Sequence, residues 1–504
     1  MSIKVTNGGA PEARCGGAVP VQKSSGRLPV MTLPQAADMT LDARTIERLT
    51  GGTWIGSDQQ VVIRGAAIDS RAVSHGCLFA CLSGARVDGH DFAETAVGDG
   101  AALVLASRLV NVPVPVVLVS DVAAALAAIA GEFRRRYDPA CTWIGVGGAN
   151  GKTTTKELIA AACNAATPER VHATRGNLNN HLGVPLTVLA TPPGMRYCVI
   201  ELGANHPGEV AALAAVVKPQ VGVVVSIGPE HLEGFGDLVG VARAECELFA
   251  ALPAQAPALI GLTGMAEHVA AHGTSVAALL EIIRAAASGR ALVLIGGDGD
   301  SHVPVNGTLK AEAIEAQLDG VPVQMPLLGQ HNLANATLAY RAAVAAGVAP
   351  AIARDGMRRV RPVAGRLVAR HLGAHLILDD TYNANPASMA AGLAVLAEHQ
   401  GRRVAVLGAM GELGDASDAA HLRVGALAAG HGLPLITVGD AAQRIGEGYR
   451  AAGGNAWNHA TDRAKAVALV RGILAQGPST VLVKASRSAA LDQVVRGLFD
   501  GVQS

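Results

Sequence analysis

The sequence predicts an α/β protein of three domains: a small α/β unit, a central parallel sheet and a Rossmann-like unit. Three observations lead there. At roughly 150 residues per domain, a chain of 504 residues has room for about three. From Thr142 onward, short apolar β runs alternate with helical runs, the pattern of a parallel sheet covered on both faces. The same alternation starts again near Pro362.

The boundaries follow from these shifts: 1–30 as a disordered extension, then units at 31–130, 131–361 and 362–504. The first thirty residues set Lys4, Glu12, Arg14, Lys23 and Arg27 among Gly, Ser and Pro, without the apolar stretch of a signal peptide. They read as a disordered tail, or as the product of an upstream start with the true start at Met31 or Met39. Half the residues are hydrophobic but only 3 % are aromatic, so Ala, Val and Leu must fill the cores.

In the first unit, Leu41 to Leu49 has a short helical pattern. Ala66 to Arg71, Gly76 to Ser83, Ala101 to Ala106 and Val114 to Val119 read as strands, and Ala123 to Arg136 as a helix leading onward. In the central unit, Tyr197 to Leu202, Val221 to Ile227 and Ala258 to Leu262 are apolar β runs. Helices fit Pro207 to Val217, Leu238 to Leu252 and Asn332 to Ala346. Ala291 to Leu328 reads as strands and turns around GGDGDSH, where Asp298 and Asp300 lack the rest of a calcium loop and predict a solvated turn. In the third unit, strands at Leu376 to Asp380, Arg403 to Leu407, Leu435 to Val438 and Thr480 to Lys484 are each followed by a helix. These run Pro386 to His399, Ala416 to Ala429, Ala441 to Ala452 and Ser488 to Phe499. The glycine segment after the second strand, GAMGELG, is not G-x-G-x-x-G, so a dinucleotide is not expected.

Composition removes several function classes. Formal net charge is zero and no basic stripe carries interleaved aromatics, which argues against nucleic acid. No apolar run reaches ~18 residues, so no transmembrane helix is expected. Seven cysteines, at 15, 77, 81, 141, 163, 198 and 246, form no CxxC and no disulfide framework, a reduced, cytoplasmic pattern.

The stretch TWIGVGGANGKTTTK, Thr142 to Lys156, carries the first chemistry. A β run empties into a glycine turn, and a helix follows, expected from Thr154 to Ala166. Amides freed by glycine, together with a helix N-terminus, make a cradle for anionic phosphates. The strict G-x-x-x-x-G-K-[ST] spacing fails because Val146 stands at the first glycine position, leaving the shorter Gly148-Ala149-Asn150-Gly151-Lys152-Thr153. Lys152 would reach the β/γ-phosphates of ATP or GTP, and the Thr153 hydroxyl is the expected Mg²⁺ ligand. Three more polar groups lie downstream. Glu201 ends a strand, where a carboxylate can hold Mg²⁺ or orient a nucleophile. His231 follows the next strand, although a lone loop histidine is more often structural. Glu245 sits on a helix that could point back to the same place, or could face solvent.

With these residues the chain resembles the Mur ligase family over residues ~60 to 500 in motif order. The segments that carry the resemblance are IDSRAVSHGCLFACLSGARVDGHDF, GANGKTTTKE, TRGNLNNHLGVPLT, VIELGANHPGE, HLEGFGDLVGVARAE, GQHNLAN, AGRL, DDTYNANPASM and VKASRSAALDQVV. GNLNNHLGVP, ELGAN and DDTYNANP are similar to the members that add D-alanyl-D-alanine to UDP-N-acetylmuramoyl-tripeptide. The resemblance implies a UDP-substrate domain, a central ATP-binding domain and a C-terminal ligase domain. It implies ATP and Mg²⁺ as cofactors, the two peptide-bearing substrates as partners, and a cytoplasmic enzyme; monomer is the default. Gly148, Asn150, Gly151, Lys152, Thr153 and Thr154 would cradle ATP, with Asn332 at the adenine and Arg366 and Asp380 reaching in from the third domain. Thr153 and Glu201 would hold one Mg²⁺; His231 and Glu245 would hold a second. Ser70 and Arg71 would meet the UDP-sugar, and Asn179 and Asn180 the substrate side of the central domain. Asn383, Asn385, Lys484, Ser486 and Arg487 would receive the dipeptide, and Lys152, Glu201, His231, Arg366 and Lys484 are the expected catalytic set.

The pattern also departs from the family. Glu245 replaces a lysine that usually becomes a carbamate and binds metal; its carboxylate offers the same hard oxygens on a shorter arm. Gly147 replaces a usual Thr, Ala409 replaces a usual Asp, and Gly261 to Gly299 lacks a usual Asn-x-Asp-Asp run. Two other readings stand beside the first: a Mur-type or folylpolyglutamate-type ligase with a different substrate, and a paralogue that binds nucleotide with little turnover.

Overall fold

A computed structural model describes residues 33–500 apart from 35, 58, 59, 85, 86 and 300, with the backbone alone of 271. The expected extension 1–30, the alternative start at Met31, Cys15 and Asp300 lie outside the described residues.

Three larger sheets follow one another along the chain, in a mixed α/β architecture. The first has five strands in the order Thr53–Ile55, Val116–Leu118, Ala101–Ala106, Cys77–Ala80, Ala66–Ala67, parallel except for its first pair. A two-stranded antiparallel ribbon, Met39–Asp42 with Gln60–Ile63, accompanies it. Sequence periodicity missed the ribbon because its strands are only four residues long. The expected strand Ala66 to Arg71 stops at Ala67. The Asp69 carboxylate accepts from Arg71 N at 3.0 Å and turns Ser70–Ala72 into a 3₁₀ helix.

The central sheet has six parallel strands in the order Ala291–Ile295, Pro257–Gly261, Val221–Val224, Thr142–Gly147, Tyr197–Glu201, Val171–Ala173. Successive strands leave Thr142–Gly147 in opposite directions, so this strand lies at the topological switch point, where ligand crevices form at carboxyl ends. Its register puts Glu201 opposite Val146 and Val224 opposite Gly147, so three strand ends stop level with the glycine loop. The helix Lys152–Ala166 starts two residues earlier than expected and packs on the helices His331–Ala345 and Pro350–Arg358. A three-stranded antiparallel sheet, Gly307–Leu309, Ile314–Leu318 and Val321–Met325, closes the same core.

The third sheet runs Val368–Leu372, His375–Asp380, Ser479–Lys484, Arg402–Leu407, Leu435–Val438, Trp457–Ala460, with only its first pair antiparallel. Asp380 and Lys484 are direct register partners at its carboxyl edge. The expected final helix is shortened to Asp492–Phe499, because Ala490 at φ 52° sits in the left-handed region and breaks the turn before it. Among the described residues no helix is long and apolar enough to cross a membrane.

Candidate active site

The glycine loop adopts a shape that side chains would obstruct. Gly148 has φ 110°, and a Cβ there would stand 2.6 Å from Val225 N. At Gly151, φ 87°, a Cβ would meet Asn335 Oδ1 at 2.6 Å. The loop is tied to the neighbouring strand end: Ala149 N donates to Ser226 O at 2.9 Å, and Asn150 N to Ser226 Oγ at 3.0 Å. Lys152 and Thr153 therefore open their helix at a fixed place.

Around that helix start lie buried groups that are only half satisfied. Lys152 Nζ donates to Gly148 O and Ala149 O and faces Glu230 Oε2 at 3.4 Å. Burial alone would lower its pKa, but the carboxylates of Glu230, Glu245 and Glu201 outweigh that and raise it, keeping the ammonium charged. Burial pushes the Glu230 carboxyl up to about 8, with Lys152 opposing and the nearby Glu245 adding to the rise. Thr153 Oγ1 donates to Glu201 Oε1 at 3.3 Å, and Asn179 Nδ2 donates to the same oxygen at 2.9 Å. Glu245 Oε2 accepts from Gly148 N at 2.5 Å, and a Cβ at Gly147 would lie 2.8 Å from that oxygen. The glycine at 147 thus leaves room for the glutamate at 245.

Glu201 Oε2, Glu230 Oε1 and Glu245 Oε1 are buried without a hydrogen-bond partner. Buried carboxyl oxygens without a partner are costly unless a proton or a cation answers them. The raised Glu230 carboxyl holds a proton near neutral pH, while the hard oxygens of Glu201 and Glu245 are what Mg²⁺ takes, so their donor chemistry fits this ion. Among the described residues no three His, Cys, Asp or Glu side chains converge on one point. Mg²⁺ usually binds one or two carboxylates and completes its shell with phosphate oxygens and water. His231, at φ 43°, pairs through Nδ1 with Glu412 Oε2 at 3.1 Å; burial lowers its pKa while Glu412 opposes the shift.

The third sheet delivers its own groups to the loop. An Arg366 guanidinium nitrogen donates to Thr153 Oγ1 at 3.3 Å, and Asn385 Nδ2 to Asn150 Oδ1 at 2.8 Å. Asn385 is held by a capping box with Ser388 at the start of the helix Pro386–Glu398. Lys484, almost fully buried, pairs with Asp380 Oδ2 at 2.7 Å and donates to Asn383 O at 3.0 Å. Ser486 Oγ shares a 3.1 Å bond with Ser488 Oγ, beside the exposed Arg487.

Other expected residues sit apart or do local work. Asn332 is buried, donating to Leu328 O at 2.7 Å and accepting from Asn335. Asn180 Oδ1 accepts from Leu182 N and Gly183 N and so caps a turn. Ser70 and Arg71 remain in the 3₁₀ turn beside the first sheet, where Arg71 pairs with Asp69 at 2.5 Å. Sequence reasoning missed Glu230, Asn335, Ser226 and Glu412. The signal for Glu230 was its place beside His231, directly after a strand end; Glu412 had none, being 181 positions from its partner.

Fold and site together define a P-loop protein that handles nucleotide phosphates between its central and third sheets. Family models match three successive stretches: the Mur ligase family catalytic domain at 62–134, the Mur ligase middle domain at 146–343 and the Mur ligase glutamate ligase domain at 365–487. The chain belongs to the Mur ligase family. Its similar relatives include the UDP-N-acetylmuramoyl-tripeptide–D-alanyl-D-alanine ligase of Escherichia coli, 35 % identical over 464 residues, covering 90 % of this chain and 98 % of that protein. Among solved structures, MurF from Acinetobacter baumannii matches with TM-score 0.79 at 29 % identity, over 93 % of this chain and 100 % of that one. MurF ligase from Thermotoga maritima in complex with ADP matches with TM-score 0.72 at 25 % identity, over 86 % of this chain and 97 % of that one.

Proposed function

We propose that this chain is an ATP-dependent ligase that joins D-alanyl-D-alanine to UDP-N-acetylmuramoyl-tripeptide, releasing ADP and phosphate in peptidoglycan precursor synthesis. The observation that carries the reading is the end-to-end similarity to ligases of that name, 35 % identity across 98 % of the Escherichia coli protein. Residues 31–130 would hold the UDP-sugar, 131–361 ATP and 362–504 the dipeptide, in a cytoplasmic enzyme that works as a monomer.

The reaction divides into two displacements. A tripeptide carboxylate oxygen attacks the γ-phosphorus of ATP and the bond to the β-phosphate oxygen breaks, leaving ADP and an acyl phosphate. The dipeptide ammonium gives one proton to solvent and the amine attacks the acyl carbon; the tetrahedral intermediate passes a second nitrogen proton to the phosphate as it expels it, leaving the amide. Lys152 neutralises charge on the transferring phosphoryl group from a fixed position, so little reorganisation is needed as charge develops. Thr153 and Glu201 would hold one Mg²⁺, and His231 and Glu245 a second; when bound, the metal supplies positive charge at the phosphoryl oxygens. Arg366 reaches the cradle at Thr153 Oγ1 and would stand beside the same phosphoryl group. Asn385, bonded to Asn150, brings the dipeptide-receiving face against the ATP loop, which shortens the path of the amine and excludes water.

The test is ADP release with UDP-N-acetylmuramoyl-tripeptide, measured with and without D-alanyl-D-alanine. Release that depends on the dipeptide supports the reading. Release with a different amine reassigns the substrate, and nucleotide binding without turnover overturns the assignment as a ligase.

A further inference from the structure

Tyr382 joins the two sides of the site. It lies just after the strand His375–Asp380, and its ring lies against two guanidinium groups. Arg366 stands 4.0 Å from the ring centroid and Arg487 stands 5.3 Å from it. Both fall inside the ~6 Å reach of the attraction between a cation and an aromatic face. The backbone holds the first contact in place: Tyr382 N donates to Gly365 O at 3.0 Å, next to Arg366 in the chain.

Neither arginine is in an ion pair among the described residues. Among the described residues the Arg366 guanidinium makes one hydrogen bond, to Thr153 Oγ1, and its Nε is buried without a partner. Most other arginines near carboxylates are neutralised, as Arg71 is by Asp69 and Arg108 by Asp88 and Asp91. Two like charges sharing one ring repel each other, and the ring offsets only part of that repulsion. An anion would offset the rest. Arg366 already touches the phosphate cradle at Thr153, so Arg487, which the ligase reading puts on the dipeptide side, is the guanidinium left for a second anion. The incoming dipeptide carries one, its terminal carboxylate, which suits the planar fork of an arginine.

We propose that Tyr382 is a positioning residue whose ring holds Arg366 and Arg487 as an anion-binding pair, with Arg487 taking the terminal carboxylate of the dipeptide. This rests on the ligase reading. The ring also links the two substrates, because a phosphoryl group that orders Arg366 orders Tyr382 and, through it, Arg487.

The test compares Tyr382→Leu with Tyr382→Phe in the full chain, using D-alanyl-D-alanine and its C-terminal amide as acceptors. The wild type should prefer the acid over the amide by about 10-fold or more in kcat/KM, as a paired carboxylate implies. Tyr382→Leu should raise KM for the acid about 10-fold, leave KM for the UDP substrate within about twofold, and lose the acid-over-amide preference. Tyr382→Phe, which keeps the ring face, should restore that preference. Arg487→Ala, at an exposed position, should show the same loss, and combining it with Tyr382→Leu should add little. A Tyr382→Leu enzyme that still prefers the acid, or a Tyr382→Phe enzyme as impaired as the leucine variant, would overturn the proposal. A wild type without dipeptide-dependent ADP release would instead overturn the ligase reading.

Discussion

The central and third sheets each carry a lysine near the carboxyl edge, Lys152 on the helix that follows the strand Thr142–Gly147 and Lys484 as the last residue of its own strand, and the two live in opposite conditions. Lys152 stands at a helix start, donates to two loop carbonyls, and meets its carboxylate only at 3.4 Å. Lys484 is sealed beneath the third sheet, with 2 % of its side chain exposed, 2.7 Å from Asp380. The first charge has capacity left for a ligand; the second is largely used inside the fold. A lysine's place near the carboxyl edge of a sheet does not determine its role. What determines it is how much of its charge the protein has already answered. The carboxylates divide the same way, since Asp380 is ion-paired while Glu201 and Glu245 each keep one buried oxygen without a partner.

Lys152→Met should separate the two lysines most sharply. It should lower kcat by about 10²–10³-fold, the usual cost of one fixed electrostatic donor, and cost less stability than the change at Lys484, because the raised Glu230 carboxyl can hold a proton once the ammonium is gone, as thermal midpoints would record. Full activity would show that the cradle works without its ammonium. Lys484→Met should do the reverse. It leaves Asp380 buried and unpaired, a loss of about 3–5 kcal/mol that denaturant unfolding would reveal. An unchanged midpoint would mean that Lys484, like Lys152, is not answered inside the fold.

Glu245 provides an intermediate case, with one oxygen bonded to Gly148 N and the other free. Glu245→Gln should raise the Mg²⁺ concentration needed for half-maximal rate by about 10–100-fold, and added bicarbonate should not restore it. A glutamine enzyme with an unchanged Mg²⁺ requirement would remove Glu245 from the metal site. The smallest effect is expected at the seam between the sheets. Asn385→Ala removes a helix cap, worth about 0.5–2 kcal/mol, and the bond to Asn150. Calorimetry should record the first loss, and a raised KM for the dipeptide the second.

The identity of the cradle was legible in the chain because strand, glycine turn and helix are contiguous. Gly148 to Thr153 needs only local backbone geometry to make an anion site. Glu201 was legible for a related reason, since a polar residue closing an apolar run marks a carboxyl edge. Local pattern failed where a side chain overrode it, as when Asp69 turned an expected strand into a 3₁₀ helix.

By itself, then, the sequence determined the order of three α/β units, the phosphate loop and the family to which the chain belongs. Period and turn chemistry act over a few residues and need no knowledge of the rest of the chain. Tertiary structure alone decided which charges are answered and which are left over. Lys484 meets Asp380 across 104 positions, His231 meets Glu412 across 181, and Arg366 meets Thr153 across 213. Whether a buried charge is paired depends on distances of a few ångströms between such remote residues, and Coulomb energy in a low-dielectric interior changes steeply over that range.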